Sequence, residues 1–481
     1  MFQCHEVWEF VGQVQSSQGT FLGFSLERGK VANVLVEGQP RIGWVSWEGN
    51  DDAKPFPAML EDTGVVLRLR LPFPPGLPFD YPLYRWWVEH TDERKEANSF
   101  SFVPRDVDRV PRLLRFWDVS ENVILVGCHY LGYYEPFVPG VCAEGRVQVQ
   151  YAVLGAQHSN YARVNAVRTR SPGISKWFGL TGFATNRVTD EQGRLQSLTF
   201  EVDKHDTIHV RKRLNLSVNP SWSGTSGHQH FEIDGPVYVE TQVSKPRSWE
   251  EHLLEHERLL NLACLSAWQP FRFTEIFASR DEDTQPVFPE RKDSRKWNPV
   301  VTHRGYQYVP GIPDNPRFLF RFSDIGTSGV RKWLRLSEEC GEAIALLMNI
   351  LHSGQVWNPI HVLSVGAMLE EIAAYILKNK GTEASRKDWV LYESKMKAII
   401  EDLPIIPFAT PEGWAKNTRD IYTASKHAGN YKPDVLKQLE VVREGILAAR
   451  IWIACKLGAE PALLKDCLQL DPLATKLEYI H

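Results

Sequence analysis

Residues 418–431 of this 481-residue chain gather the side chains best suited to chemistry. The segment, TRDIYTASKHAGNY, contains Arg419, Asp420, Lys426 and His427. A histidine can move a proton near neutral pH, and an arginine carries a permanent charge with a fork of N–H donors. Such groups can take the proton from a ribose 2′-hydroxyl and offset the charge that builds on the adjacent phosphate. The segment therefore points to RNA cleavage without a metal or another cofactor.

The same segment also fits an ordinary helix end. Arg419 and Lys426 would then be solvated helix residues, with His427 near the C-terminus and Gly429 closing the helix. Under the first interpretation, Tyr422 and Asn430 lie in the same stretch and would bind or orient the RNA.

A second motif is His252-Leu-Leu-Glu255-His256, the H-x-x-E-H order of inverted zinc peptidases, with the histidines one helical turn apart. The alternative is a surface stripe on an amphipathic helix whose other face is leucine. Because the sequence offers no identifiable third ligand, we predict no metal site.

Other groups of histidines or basic residues are less specific. Paired histidines on a strand can bind metal, but turn and sheet-surface positions are the simpler interpretation for His205, His209, His228 and His230. The segments 109–117 and 163–177 mix arginines with aromatics and could hold single-stranded nucleic acid. Strand edges guarded by charge are the alternative.

Composition restricts the functional classes. A net charge of -4 and a pI of about 6.4 give no overall basic field, so the chain does not resemble a protein that coats nucleic acid. The seven cysteines form no C-x-x-C pair, which favours a reducing compartment. The N-terminus has no signal-peptide pattern, and we expect no membrane span and a cytoplasmic location. Walker, dinucleotide and G-x-S-x-G patterns are absent from the sequence.

The order of hydrophobic periods predicts an α+β multidomain chain. Residues 1–245 read as a β-rich sandwich or barrel-like region, in which we expect strands at 7–15, 20–24, 31–37, 65–71, 123–128, 147–154, 198–203 and 237–242. Residues 246–322 form a connecting region with a helix at 247–267 and an exposed loop or boundary at 280–297. In residues 323–481 the apolar spacing predicts a bundle of four or five helices, at 330–352, 359–380, 386–403, 412–425 and 433–457.

Several stretches resemble ApeA-like anti-phage defence proteins, in which an ApeA-type N-terminal domain precedes an Apea-like HEPN domain. The N-terminal likeness is carried by HEVWEFVGQVQSSQGTFLGFSLERGKVANVLVEGQP and RTRSPGISKWFGLTGF. The HEPN likeness is carried by RKWLRLSEECGEAIALLMNIL, HVLSVGAMLEEIAAYIL and RDIYTASKHAGN. Together these stretches extend over most of the chain.

The resemblance implies an all-α HEPN bundle that pairs as a homodimer and cleaves RNA by 2′-hydroxyl transesterification to abort infection. His427 would be the acid or base, Arg419 the phosphate clamp and Asp420 the polar residue that follows it. Glu370 or Glu371 on the central helix would orient the basic pair. The β-rich region would act as a sensor for a phage-derived trigger. The alternative is an inactive HEPN scaffold for dimerisation or RNA binding.

The spacing departs from the family's motif, which usually has fewer residues between Arg and His than the seven found here. On a continuous helix, eight positions turn the two side chains about 80° apart. Three outcomes follow: the helix breaks near 423–425, Lys426 does the work of the arginine, or the site is inactive.

Overall fold

The computed structural model describes most of the chain. The described residues are 35–47, 55–73, 110–134, 142–157, 160–202, 206–227, 230–285, 294–303, 315–354, 359–381, 391–408, 411–427 and 433–474. The predicted strands at 7–15 and 20–24 lie outside these residues, and so does most of the predicted strand at 31–37.

Twenty strands are present among the described residues, and the side chains of the first three alternate between core and solvent. The strands are β1 Arg41–Ser46, β2 Phe56–Asp62, β3 Leu67–Phe73, β4 Leu113–Trp117, β5 Asn122–Val126, β6 His129–Tyr134, β7 Ala143–Val149, β8 Tyr151–Leu154, β9 Val164–Arg170, β10 Phe183–Thr189, β11 Leu195–Val202, β12 Ile208–Arg211, β13 Leu216–Pro220, β14 Ser223–Gly227, β15 His230–Asp234, β16 Val237–Arg247, β17 Glu275–Ser279, β18 Thr284–Gln285, β19 Ser294–Arg295 and β20 Asn298–Val301. In β2, every second residue is buried, as a half-buried strand requires.

Fourteen of the described strands form one antiparallel sheet in the order β12-β13-β16-β9-β17-β20-β8-β5-β4-β1-β2-β3-β7-β6. One apolar cluster lies under the part from β8 to β7. A second cluster extends from β9 and β16 into the helices. The strand pairs β10–β11 and β14–β15 stand apart from the large sheet as separate hairpins.

Several predicted strands coincide with observed ones, and others were missed. The runs at 65–71, 123–128, 198–203 and 237–242 overlap β3, β5, β11 and β16. The run at 147–154 is two strands, because the chain turns at Gln150 between β7 and β8. The prediction of an exposed loop at 280–297 is wrong at its start, where Arg280 and Asp283 are buried.

Two helices belong to the β-rich half. They are α1 Pro172–Phe178 and α2 Trp249–Ala267. Ser248 caps α2: its hydroxyl accepts the Glu251 N–H, and the Glu251 carboxylate accepts the Ser248 N–H. One side of α2 packs on β9 and β16, and another side meets the helical part of the chain.

The C-terminal part is helical among the residues described. Its helices are α3 Phe322–Glu339, α4 Gly341–His352, α5 Ile360–Asn379, α6 Tyr392–Asp402, α7 Pro411–Lys426, α8 Val435–Leu457 and α9 Pro461–Leu468. The helix predicted at 330–352 is two helices separated at Cys340, and α9 was not predicted. The β-rich region followed by helices confirms the predicted fold class, while the boundaries at 245 and 322 remain predictions.

Helix α5 is the centre of this helical part, with α4, α6, α7 and α8 packed around it. Helix α5 is long and apolar enough to cross a membrane, but core helices of globular proteins share these properties. Its buried face, which includes Val365, Leu369 and Ile372, supplies the core of the bundle instead. The same helix carries Glu370 to the candidate site.

Candidate functional site

Helix α7 carries the predicted site and runs without a break from Pro411 to Lys426. The residues at 423–425 remain helical, so the helix break that would have brought Arg419 beside His427 does not occur. On an unbroken helix the eight-residue separation offsets the two positions by about 80° around the helix axis. His427 follows the last helical residue and is exposed.

Carboxylates hold Arg419 on the α6 side of α7. The Asp420 Oδ1 atom accepts from Arg419 Nε at 2.8 Å and from Nη2 at 2.6 Å. Arg419 Nη1 also donates to Glu393 on α6, and Lys397 Nζ lies 3.1 Å from the other oxygen of that carboxylate. The hydrogen bond to Asp420 and the nearby charges hold the pKa of Arg419 above its usual value. The Arg419 guanidinium is thus bound by carboxylates of α6 and α7.

Glu370 collects a second group of polar side chains. Lys395 Nζ on α6 donates to Glu370 Oε1 at 3.0 Å, and the Tyr422 hydroxyl donates to Oε2 at 3.0 Å. Lys426 Nζ lies 3.8 Å from Oε2 and 4.0 Å from the centre of the Tyr422 ring. Burial alone would raise the pKa of Glu370, but the hydrogen bonds and charges of these partners outweigh burial and lower it. Glu370 is therefore a carboxylate at neutral pH.

Lys426 stays protonated in this setting. Partial burial opposes its charge, but Tyr422 and Glu370 outweigh that effect and raise the pKa of Lys426 above its usual value. A lysine with a raised pKa is a charge partner for a phosphate and a poor proton acceptor at neutral pH. Burial raises the pKa of Tyr422 as well, so its phenol keeps its proton.

Glu370 and Glu371 have different tasks, which the sequence left open. Glu371 accepts the backbone N–H groups of Glu342 and Ala343 in the first turn of α4. Burial, followed by the neighbouring Glu342 charge, raises its pKa. Glu371 thus caps α4 and does not join the α7 cluster, whereas Glu370 does.

Close packing fixes Tyr422 against α5. Gly366 has no side chain, and a Cβ atom built there would lie 2.2 Å from the Tyr422 ring. Tyr392 on α6 also packs against that ring, at a centroid distance of 4.8 Å. The Tyr422 hydroxyl is thereby aimed at Glu370. Sequence reasoning missed Gly366, Tyr392 and Lys395, because their spacing along the chain gives no sign of this contact. Asn430, also predicted for the site, lies outside the described residues.

The histidines of the H-x-x-E-H motif are core residues, so the surface-stripe interpretation is wrong. His252, Glu255 and His256 are all 0% exposed. His256 contacts the hydroxyls of Thr169 and Thr241, each at 2.8 Å, and His252 contacts Thr241 at 2.8 Å. Burial lowers the pKa of His252 to about 4 and of His256 to about 3. Both are therefore neutral rings within a hydrogen-bonded chain.

Glu255 is directed to arginines instead of a metal. It lies 3.0 Å from Arg258, 3.4 Å from Arg211 and 3.7 Å from Arg213. Within the described ranges, no group of three or more His, Cys, Asp or Glu residues is placed to hold a metal ion. Of the other predicted histidines, His209 lies on β12, and His205 and His228 lie outside the described residues.

The arginines at 163–177 are held by the sheet. Arg168 lies over the rings of Tyr238, Phe277 and Trp297 at 4.5, 4.5 and 4.7 Å. Arg170 pairs with Asp234 and Glu275, both at 2.8 Å. These contacts join β9 to its neighbours. The adjacent carboxylates would repel the phosphates of a nucleic acid.

The described cluster can bind an anion near an exposed histidine. Lys426 supplies the positive charge, Glu370 and Tyr422 position it, and His427 follows directly in the chain. The fold and this cluster define a β-rich protein with a helical C-terminal part that carries a polar, basic site.

Comparison with known proteins places the chain in a family. The family model for ApeA N-terminal domain 1 matches residues 85–335, more than half of the chain. The chain belongs to this family and is an ApeA-like protein, which suggests a role in anti-phage defence. The match ends within α3, and helices α4 to α9 lie beyond it. No curated protein and no solved structure matches the chain.

Proposed function

We propose that the protein is a HEPN-type endoribonuclease that cleaves RNA in anti-phage defence and thereby aborts infection. The single observation that carries the proposal is the position of Lys426 at the end of α7, beside Glu370 and over the Tyr422 ring, directly before the exposed His427. Membership of the ApeA family supports the biological context.

The proposed reaction is a transesterification. His427 takes the proton from a ribose 2′-hydroxyl, and the freed oxygen attacks the adjacent phosphorus. The bond to the 5′-oxygen breaks, and that oxygen receives a proton from water, leaving a 2′,3′-cyclic phosphate and a 5′-hydroxyl end. Lys426 offsets the charge that grows on the phosphate. In this proposal Lys426 replaces Arg419, whose guanidinium is engaged by Asp420 and Glu393.

The structure also favours a second candidate, a HEPN scaffold that binds RNA or pairs with another copy without cleaving. The unbroken α7 and the engagement of Arg419 on the α6 side are the observations behind it. Function would then lie in the β-rich region, acting as a sensor of a phage component. In both cases we expect a homodimer through the helical part, which light scattering on the pure protein would test.

Incubation of purified protein with total cellular RNA in EDTA tests the first proposal. We expect the wild type to cleave and to leave 2′,3′-cyclic phosphate ends, and His427→Ala to be inactive. The matched control is His209→Ala, a strand histidine of the β-rich region, which should cleave normally.

The assay is repeated with lysate from phage-infected cells, to supply a trigger. RNA binding without cleavage under both conditions would favour the scaffold. Full activity of His427→Ala would contradict the assigned site.

A further inference from the structure

Lys395 is a basic residue of the candidate site that neither its sequence position nor the family motif indicates. It lies on α6, and its ammonium group is 3.0 Å from Glu370 Oε1. Lys426 reaches the other oxygen of the same carboxylate, at 3.8 Å, from α7. Two ammonium groups from different helices therefore converge on one carboxylate.

The charges around the two basic groups differ. Arg419 forms ion pairs with two carboxylates, those of Asp420 and Glu393. Among the described residues, Lys397 is the only other cation paired with either of them. Lys395 and Lys426 share a single carboxylate, with the neutral hydroxyl of Tyr422 beside it. One positive charge is thus left over at Glu370, whereas the charges around Arg419 cancel.

We infer that Lys395 and Lys426 together form a binding site for an RNA phosphate, with Glu370 positioning both ammonium groups. This inference rests on the proposed function and adds a residue from α6 to it. A phosphate presents several oxygens and can bridge two ammonium groups. Lys426 leaves 47% of its side chain exposed and Lys395 19%, so Lys426 is open to solvent and Lys395 is partly exposed.

The salt dependence of RNA binding tests this inference. A fluorescent single-stranded RNA with 2′-O-methyl riboses has no attacking hydroxyl, so the full-length protein can bind it without cleavage. Each phosphate contact contributes about 0.7 to the slope of log affinity against log salt. We expect Lys395→Gln to reduce that slope by about 0.7, and Lys395→Arg to keep it.

Lys380→Ala is the matched control. Lys380 also pairs with a glutamate, Glu401, at 3.8 Å, but it follows the end of α5 and is outside the Glu370 cluster. Its slope should equal that of the wild type. The slope counts contacts and does not depend on the fraction of folded protein, so partial unfolding of Lys395→Gln cannot imitate the effect.

The outcomes separate the inference from the proposed function. A normal slope for Lys395→Gln beside a reduced slope for Lys426→Gln would overturn the role of Lys395 and leave the proposed site standing. A wild type that neither binds this RNA nor cleaves unmodified RNA, with or without infected lysate, would overturn both.

Discussion

At the scale of single residues, the two cations of the α7 motif are not equivalent. Arg419 donates to Asp420 and Glu393, while Lys426 lies over the Tyr422 ring beside Glu370. A guanidinium with two carboxylate partners must give up those contacts before it can bind a phosphate, at a cost in free energy. Lys426 has one distant carboxylate and needs less rearrangement.

We therefore predict unequal effects on RNA cleavage. Lys426→Gln should lower the cleavage rate about 100-fold, because it removes the charge that stabilises the developing phosphate anion. Arg419→Gln should lower it by less than about tenfold. Initial rates with a fixed RNA would measure both, and Lys426→Arg should retain part of the activity. A larger loss for Arg419→Gln would assign the phosphate contact to Arg419 instead.

The buried histidines of α2 make stability depend on pH. Burial lowers the pKa of His252 to about 4 and of His256 to about 3, against an ordinary value of 6.5. Near and below pH 6.5 the unfolded chain therefore binds more protons than the folded chain. The free energy of unfolding decreases as the pH is lowered through this range.

Between pH 7.5 and 5.5 each of these histidines should cost about 1.4 kcal/mol of unfolding free energy. Urea unfolding at the two pH values measures the loss. His256→Gln should reduce the difference between them even if it lowers stability at both. A pH difference as large in this variant as in the wild type would show that His256 is not the source.

At the scale of elements, α5 governs the site because every other helix of the cluster packs on it. Its apolar face fills the bundle core, and Glu370 projects between α6 and α7. Gly366, one turn before Glu370, lets the Tyr422 ring lie directly on the α5 backbone. Because Gly366 has no side chain, α5 and α7 can approach each other closely at this point.

Gly366→Ala should destabilise the protein by about 1–3 kcal/mol, since the added methyl meets the Tyr422 ring and outweighs the better helix propensity of alanine. It should also lower RNA binding, because Tyr422 and Lys426 would move away from Glu370. Gly341→Ala in α4 is the control: a Cβ atom there has nothing within 4 Å. We expect that variant to be neutral or slightly more stable. Equal effects of the two substitutions would contradict this account.

At the scale of the whole molecule, charged contacts join the β-rich and helical parts. Glu255 of α2 and Glu338 of α3 share Arg258, at 3.0 and 2.9 Å, and Arg211 at the end of β12 also reaches Glu338 at 2.8 Å. Arg331 of α3 donates to the Val210 carbonyl at 2.8 Å. A movement of the β-rich region would therefore be transmitted directly to α3.

A buried ion pair makes a second connection. Arg450 of α8 is 0% exposed and donates to the Leu265 and Ser266 carbonyls at the end of α2, at 2.8 and 2.9 Å. Its Nη2 atom also lies 2.9 Å from Asp471, which is buried too. This arginine adds donors to carbonyls in the last turn of α2, which also accept the backbone N–H groups of Trp268 and Leu319.

Arg450→Ala should lower the unfolding free energy by about 3–5 kcal/mol, because it leaves Asp471 buried without a counter-charge. Urea unfolding followed by tryptophan fluorescence would show the loss, and separate transitions would show that the two parts have come apart. Lys456 lies on α8, as Arg450 does, and forms a more exposed ion pair with Asp402 of α6. Lys456→Ala should therefore lower the unfolding free energy by at most about 1 kcal/mol. A small effect of Arg450→Ala would mean that the two parts do not depend on this contact.

The sequence by itself determined the order of the architecture and where to look for chemistry. The change of hydrophobic period near residue 247 and the apolar stripe of α5 are local properties, and local spacing is what periodicity reads. The polar residues at 419–427 were visible for the same reason. The family match at 85–335 confirmed the ApeA-like likeness, while the HEPN nuclease remains a proposal.

Only the tertiary structure decided which of these residues meet. The contact of Lys395 with Glu370 joins residues 25 positions apart, and that of Tyr422 with Glu370 joins residues 52 apart. The burial of His252 and His256 depends on the strands that cover α2, which the pattern of a single helix does not reveal. Side-chain partners across helices follow from packing, and packing is a property of the whole chain.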